Sequence, residues 1–314
     1  MTEKYRVGII GAGRIGSSFD APDSEHVLTH AHAFSRNPKC ELAGIMDVDS
    51  EQGKKEAKKW ETEFFPDIES LFSSTKPDIV VIATPDDTHA ELLLTVADKG
   101  ARLIICEKPV SASRDQSEQL RGFHGVPVIV NFRRRFDDDV QSLAEDIKSG
   151  TYGAVISATA IYSKGTLHNG SHIIDLARFL FGELKTGVPL SRIQDWDGEP
   201  TVSAFISFER CPRFYLTTGD ERAYSVFELD ILTEKKRFHF SDEGMTLSTQ
   251  EVIDDPLYKG FRILGESTVQ KTNLIHAMEN IAEHAVRVLD GSEESRATLE
   301  NALKTQDACF RLLE

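Results

Sequence analysis

Arg6-Val7-Gly8-Ile9-Ile10-Gly11-Ala12-Gly13-Arg14-Ile15-Gly16 decides how the N-terminal half of this chain folds. A short apolar run passes directly into three spaced glycines. Gly11 permits a tight turn at positive φ. Gly13, without a Cβ, lets the backbone approach a pyrophosphate, and Gly16 lets the following helix pack on the strand. The helix N-terminus then offers unpaired N–H groups to phosphate oxygens. A lone Gly-x-Gly-x-x-Gly is weak evidence, but this one stands straight after a strand in a βαβ context. Gly11, Gly13, Arg14, Ile15 and Gly16 are therefore expected to bind a dinucleotide. The bland reading is a glycine-rich turn with no ligand.

Further apolar runs follow at Glu41–Asp47, Asp78–Ala83, Arg102–Cys106 and Val126–Val130. Helix-compatible stretches lie between them, at Val27–Ser35, Ser50–Trp60, Ile68–Ser73, His89–Lys99 and Ser113–Arg121. Strands apolar at nearly every position, separated by helices, predict a parallel sheet covered on both faces. The expected class is α/β, with an N-terminal doubly wound Rossmann domain over residues 1–125.

The pattern changes after Asn131. A helix is expected over Phe136–Lys148, and period-two alternation begins near Ala154. In Val202, Ala204, Ile206 and Phe208 it is plain. Short strands are expected at Arg213–Thr217, Ser225–Leu232, Lys235–Phe240 and Gly244–Thr249, and helices at Thr272–Leu289 and Ala297–Leu313. Residues 126–314 thus read as an α+β domain with a large, mostly antiparallel open sheet.

A net charge of −15 disfavours nucleic acid and anionic membranes as partners. No apolar run approaches the roughly 20 residues that span a bilayer. Four dispersed cysteines, with no Cys-x-x-Cys, suggest idle thiols in a cytoplasmic protein, with neither disulfides nor a metal centre.

Asp47 ends the second apolar run, where an acid bonds the ribose hydroxyls of a bound dinucleotide. It comes later than the roughly 20-residue spacing of the plain fingerprint, because Asp20-Ala21-Pro22-Asp23-Ser24 interrupts the first helix. A carboxylate there repels a 2′-phosphate, so NAD is expected over NADP. Glu107-Lys108-Pro109 closes the strand Arg102–Cys106, at the mouth of the expected cofactor crevice. An arbitrary lysine at a strand end would be mere surface.

With these motifs, Ala83-Thr84-Pro85-x-x-Thr88-His89 and Asn169-Gly-Ser-His172-Ile-Ile-Asp175-Leu, the chain resembles the glucose-fructose oxidoreductase/inositol dehydrogenase/rhizopine-catabolism (Gfo/Idh/MocA) family. The resemblance spans nearly the whole chain. It implies that Lys108 bonds the substrate hydroxyl and the nicotinamide ribose, that Thr84 and Pro85 flank the cofactor with His89 in the same motif, and that Glu107 supports it. It also implies a homodimer or homotetramer through the C-terminal sheet.

His172 and Asp175 lie three apart on an expected helix ending at Gly182, so they share a face. A carboxylate on one ring nitrogen would raise the basicity of the other. His172 matches the family's acid–base histidine. The family's Asp four residues earlier is replaced here by His168, with Asn169 beside it. A structural histidine, or a metal bound by His168, His172 and Asp175, are the competing readings. Arg133-Arg134-Arg135 could grip an anionic substrate group bidentately or form a solvated patch. Tyr162, Asn169 and Arg178 are weaker candidates for substrate contact. His26, His30, His32 and His89 carry no signal of their own; His32 could line the entrance, with helix surface the better reading. The expected function is hydride transfer between nicotinamide and a secondary alcohol or ketone of a sugar, sugar acid or nucleotide sugar. The alternative is a non-catalytic dinucleotide-binding sensor of the same fold.

Overall fold

The computed structural model describes residues 4–196 and 198–314. It divides into two compact units. One comprises Met1–Arg133 with Ile275–Leu303, the other Arg134–Leu274 with Lys304–Glu314.

The first unit is built on six parallel strands: β1 (Tyr5–Ile10), β2 (Cys40–Met46), β3 (Phe64–Phe65), β4 (Ile79–Ile82), β5 (Leu103–Cys106) and β6 (Val128–Val130). Their order is β3-β2-β1-β4-β5-β6. The connections reverse direction between β1 and β4, which makes this a doubly wound Rossmann sheet. Helices α1 (His30–Arg36), α2 (Ser50–Lys59), α3 (Ile68–Thr75), α4 (His89–Asp98) and α5 (Arg114–Arg121) connect the strands. Asp49, Asp67 and Ser113 cap α2, α3 and α5 by accepting backbone N–H groups of the first turn. Val80, Ile82, Ile104 and Val130 are buried with Leu93 of α4. This two-sided cover is why β4 and β5 are apolar throughout.

The unit extends past the boundary expected after residue 125. β6 pairs in parallel with β5, so the strand completes the first sheet. The chain also returns: α8 (Ala277–Leu289) packs on α1 and β5, and the Val130 N–H donates to the Ala297 carbonyl.

The second unit carries an eight-stranded sheet in the order β14-β13-β12-β11-β7-β10-β9-β8. Its strands are β7 (Val155–Tyr162), β8 (Leu184–Trp196), β9 (Glu199–Phe208), β10 (Phe214–Thr218), β11 (Phe227–Thr233), β12 (Lys236–Ser241), β13 (Thr246–Asp254) and β14 (Arg262–Lys271). All neighbours are antiparallel except β7 and β10. The residues of α6 (Asp138–Ser149) and α7 (Ser171–Phe181) share one core with the inner face, including Phe208, Phe214, Phe227 and Phe240. On the other face Ile156 and Tyr215 are exposed, as strand alternation requires. α9 (Leu299–Leu313) begins in the first unit and ends in the second.

The two edge strands were not expected. β8 is exposed through most of its length and contains Pro189, and β14 is exposed nearly throughout. Neither has a buried face to impose alternation. No helix among the described residues is long and apolar enough to cross a membrane.

Candidate functional site

The glycine turn leaves β1 at its carboxyl end. Gly11 has φ +104°, and a Cβ on it would meet the Ala83 carbonyl. A methyl on Gly16 would collide with the Gly11 carbonyl oxygen. Gly13 is different: it is exposed, its φ is −75°, and nothing lies within 4 Å of the place a Cβ would take. The first and third glycines thus serve the protein's own packing, whereas the second keeps space open. That is the arrangement a pyrophosphate needs. A regular helix does not follow. Arg14–Ser18 form one π-type turn, in which the Ser18 N–H reaches the Gly13 carbonyl.

This separation of roles gives a test. Gly13→Ala is expected to leave thermal stability unchanged but to weaken NADH binding about tenfold or more, read by fluorescence titration. Gly16→Ala is expected to destabilise the fold by about 1–3 kcal/mol through overpacking. Equal NADH affinity in wild type and Gly13→Ala would remove the dinucleotide from this turn.

Asp47 stands just past β2. Its Oδ2 accepts the Ala12 N–H at 2.6 Å, and its Oδ1 accepts the Asp49 N–H at 2.8 Å. The carboxylate is therefore fixed beside the glycine turn, where a ribose is expected.

The residues after β4 and β5 are tied together through His89. Its ring is buried, with Nδ1 2.6 Å from the Pro109 carbonyl and Nε2 2.8 Å from the Thr84 carbonyl. Both ring nitrogens are engaged by backbone, so His89 braces the segments of Thr84–Pro85 and Lys108–Pro109 and does not itself face a ligand. Pro85 is exposed, and Thr84 is half-buried with its hydroxyl 2.7 Å from that of Thr88.

Glu107 is buried, and its neighbour in sequence, Lys108, is half-buried. Its Oε1 meets His30 Nε2 at 2.9 Å and accepts Asn131 Nδ2 at 2.5 Å. Burial pushes the Glu107 carboxyl up, but the bonds from His30 and Asn131 and the charge of Lys108 outweigh it and leave it below its ordinary value. Asp86, in the loop after β4, goes the other way. Burial raises it against the opposing charges of Lys108 and His89.

The loop that interrupts the first helix is also organised. Asp20 accepts the Leu28 and Thr29 N–H groups, the Thr29 hydroxyl and His32 Nδ1. Lys59 and the Trp60 indole both donate to the Ser17 carbonyl. His32 is fully buried, not on the helix surface, because Asp20 supplies its partner from ten-odd residues upstream. Sequence inspection had no way to pair these residues.

In the second unit the chain between β7 and α7 carries the candidate base. Gly165–Gly170 form a π-type turn that leads into α7, and His172 is half-buried in its first turn. Glu199 anchors this turn by accepting the Leu167 and His168 N–H groups, and Asp195 accepts that of Lys164. His168 stacks on Trp196 with ring centroids 5.2 Å apart, and Asn169 Nδ2 donates to the Ser163 carbonyl.

Asp175 has a partner that helix spacing did not suggest. Arg135 donates to both of its oxygens, Nε at 2.7 Å and Nη2 at 2.8 Å, and the Thr305 hydroxyl adds a third bond. Arg134 is buried too, donating to the Glu243 carbonyl and lying over the Phe227 ring. Two of the three arginines are thus engaged within the second unit and do not form the solvated patch that was the other reading. Arg133 is half-buried. Tyr162 is fully buried, its hydroxyl donating to the Val202 carbonyl, so it belongs to the core and not to a substrate contact. Arg178 pairs bidentately with Glu183.

Residues 5–122 match the model of the Gfo/Idh/MocA oxidoreductase family, NAD-binding Rossmann fold. The chain is 30% identical over 202 residues to inositol 2-dehydrogenase of Rhizobium meliloti, covering 57% of this chain and 55% of that one. It is 22% identical to D-glucoside 3-dehydrogenase of Escherichia coli, covering 80% and 83%. It spans about half the length of most curated relatives that it matches. A crystal structure described as a putative NADPH-dependent oxidoreductase of Desulfitobacterium hafniense superposes with TM-score 0.81 at 19% identity, covering 100% of this chain and 95% of that one. That likeness is one of fold.

Proposed function

We propose that this chain is a member of the Gfo/Idh/MocA oxidoreductase family, whose model its residues 5–122 match, and that it is an NAD-dependent dehydrogenase or reductase of a secondary hydroxyl on a sugar or cyclic polyol. One observation carries the reading. The glycine turn, Thr84–Pro85 and Lys108 follow β1, β4 and β5, three adjacent parallel strands, all at their carboxyl ends. In open α/β sheets that edge, at the point where the strand order reverses, is where ligands bind.

A bound nicotinamide supplies the hydride acceptor or donor. The chain's own residues do the rest. Lys108 donates an ammonium N–H to the substrate oxygen and stabilises charge there. His172 takes the hydroxyl proton in oxidation and returns it in reduction. With Arg134 and Arg135 engaged internally, the reading favours a neutral sugar or polyol over a sugar acid. The relatives named for inositol and for a D-glucoside support that class. Exposed Ile156, Val188, Leu190 and Tyr215 support the second sheet as the contact of a homodimer or homotetramer.

The test is a screen of inositols, glucosides, sugar acids and nucleotide sugars with NAD and NADP, following reduced-nicotinamide absorbance. Turnover of at least one neutral sugar or polyol is expected. NADH is expected to bind at least about tenfold more tightly than NADPH, because the fixed Asp47 carboxylate repels a 2′-phosphate. Asp47→Ala narrows that ratio. NADH binding with no turnover of any candidate would overturn the enzymatic reading, and tighter NADPH binding would overturn the cofactor choice.

A further inference from the structure

Glu107, His30 and Asn131 come from three separate parts of the first unit: the end of β5, the start of α1 and the residue after β6. They meet at a single oxygen, Glu107 Oε1. All three side chains are buried, His30 completely. His30 Nδ1 has no hydrogen-bond partner, so the ring's polar contact is the one to Glu107. A buried carboxylate costs several kcal/mol unless hydrogen bonds compensate it. Apolar residues would pack this position at lower cost. The network therefore does something that packing alone does not.

We propose that His30 and Asn131 are positioning residues for Lys108, acting through Glu107: they hold its carboxylate in place beside the lysine. The assignment rests on the reading of Lys108 as the group that meets the substrate oxygen. The other charged groups here are Asp86, from the loop after β4, with Asp87 and His89 next to it. Asp86 is raised by burial, whereas Glu107 is held below its ordinary value. Glu107 is the negative charge here whose position two buried side chains fix. Its position and ionisation govern how firmly the lysine keeps its proton. The reaction needs that proton, since a neutral amine stabilises an alkoxide less well.

The test is competitive acetylation of the full-length protein with acetic anhydride across pH, with Lys108 labelling followed by peptide mass mapping. No substrate or cofactor is needed. Removing the anchor of a neighbouring carboxylate lets an ammonium lose its proton more readily. His30→Leu and Asn131→Leu are therefore expected to move the Lys108 labelling midpoint down by about one pH unit, in the same direction as Glu107→Gln. His30→Gln, whose amide can still donate to Glu107, restores the wild-type midpoint. Combining His30→Leu with Glu107→Gln adds no further shift, because both act along one route. Circular dichroism checks that each variant folds. A wild-type midpoint in folded His30→Leu and Asn131→Leu would overturn the proposal, as would failure of Glu107→Gln to move it. The substrate screen decides the dehydrogenase reading independently, because it needs only the wild-type protein.

Discussion

Lys108→Met is expected to lower kcat/KM by about a thousandfold while NADH affinity stays within about tenfold of wild type. The magnitude follows from the proposed role. Removing one preorganised donor from a developing oxyanion costs about 10²–10³ in rate. Cofactor affinity changes little, because one lost hydrogen bond is worth roughly 0.5–1.5 kcal/mol. Methionine keeps the length and apolar stem of the side chain, so the half-buried position remains filled. His172→Ala is the companion. It is expected to depress kcat about a hundredfold or more and to abolish the acidic limb of the pH–rate profile. The measurements are steady-state kinetics on the best substrate of the screen and an NADH titration of each variant. Turnover of Lys108→Met within tenfold of wild type would remove the lysine from the chemistry. A dinucleotide-binding sensor makes the opposite forecast, since its partner response survives the loss of the amine.

The doubly wound sheet was legible because its strands announce themselves. Ile79–Ile82 and Leu103–Cys106 are buried at every position, and only two-sided cover produces such runs. The glycine turn was legible because Gly11 and Gly16 answer local steric demands. What lay hidden was of two kinds. Edge strands such as β14 have no buried face, so no hydrophobic period marks them. Buried polar pairs join residues far apart in the chain. His30 meets Glu107, and Arg135 meets Asp175, at separations that no helical or strand period encodes. For that reason Asp175 read as the partner of its helical neighbour His172, and Arg134 and Arg135 read as ligand grips. The spacing rule was sound, but it covers only partners within one element. Tyr162 misled for a similar reason: its buried hydroxyl is satisfied by Val202, forty residues on.

The buried Arg135–Asp175 pair sets the largest expected loss of stability. The two side chains are only 5% and 3% exposed and meet through a bidentate contact. Thr305 extends the network: its hydroxyl donates to Asp175 and accepts Arg178 Nη1 at 2.6 Å. Asp175→Leu leaves the Arg135 guanidinium in a low-dielectric site without this carboxylate. Breaking a buried pair from one side costs about 3–5 kcal/mol, most of it the penalty for the charge left behind. Asp175→Leu is therefore expected to lose about that much in urea unfolding followed by circular dichroism. Arg135→Met combined with Asp175→Leu removes both charges and packs the site with apolar groups, so it is expected to regain most of the loss. The same pair of variants separates two roles for this carboxylate. If Asp175 serves only to seat α7, and His172 with it, the double variant recovers activity along with stability. If the carboxylate also acts on His172, stability returns while kcat stays low. With Arg135→Met measured alone as well, a double-variant loss equal to the sum of the two single losses would sink the idea that Arg135 and Asp175 act as a unit.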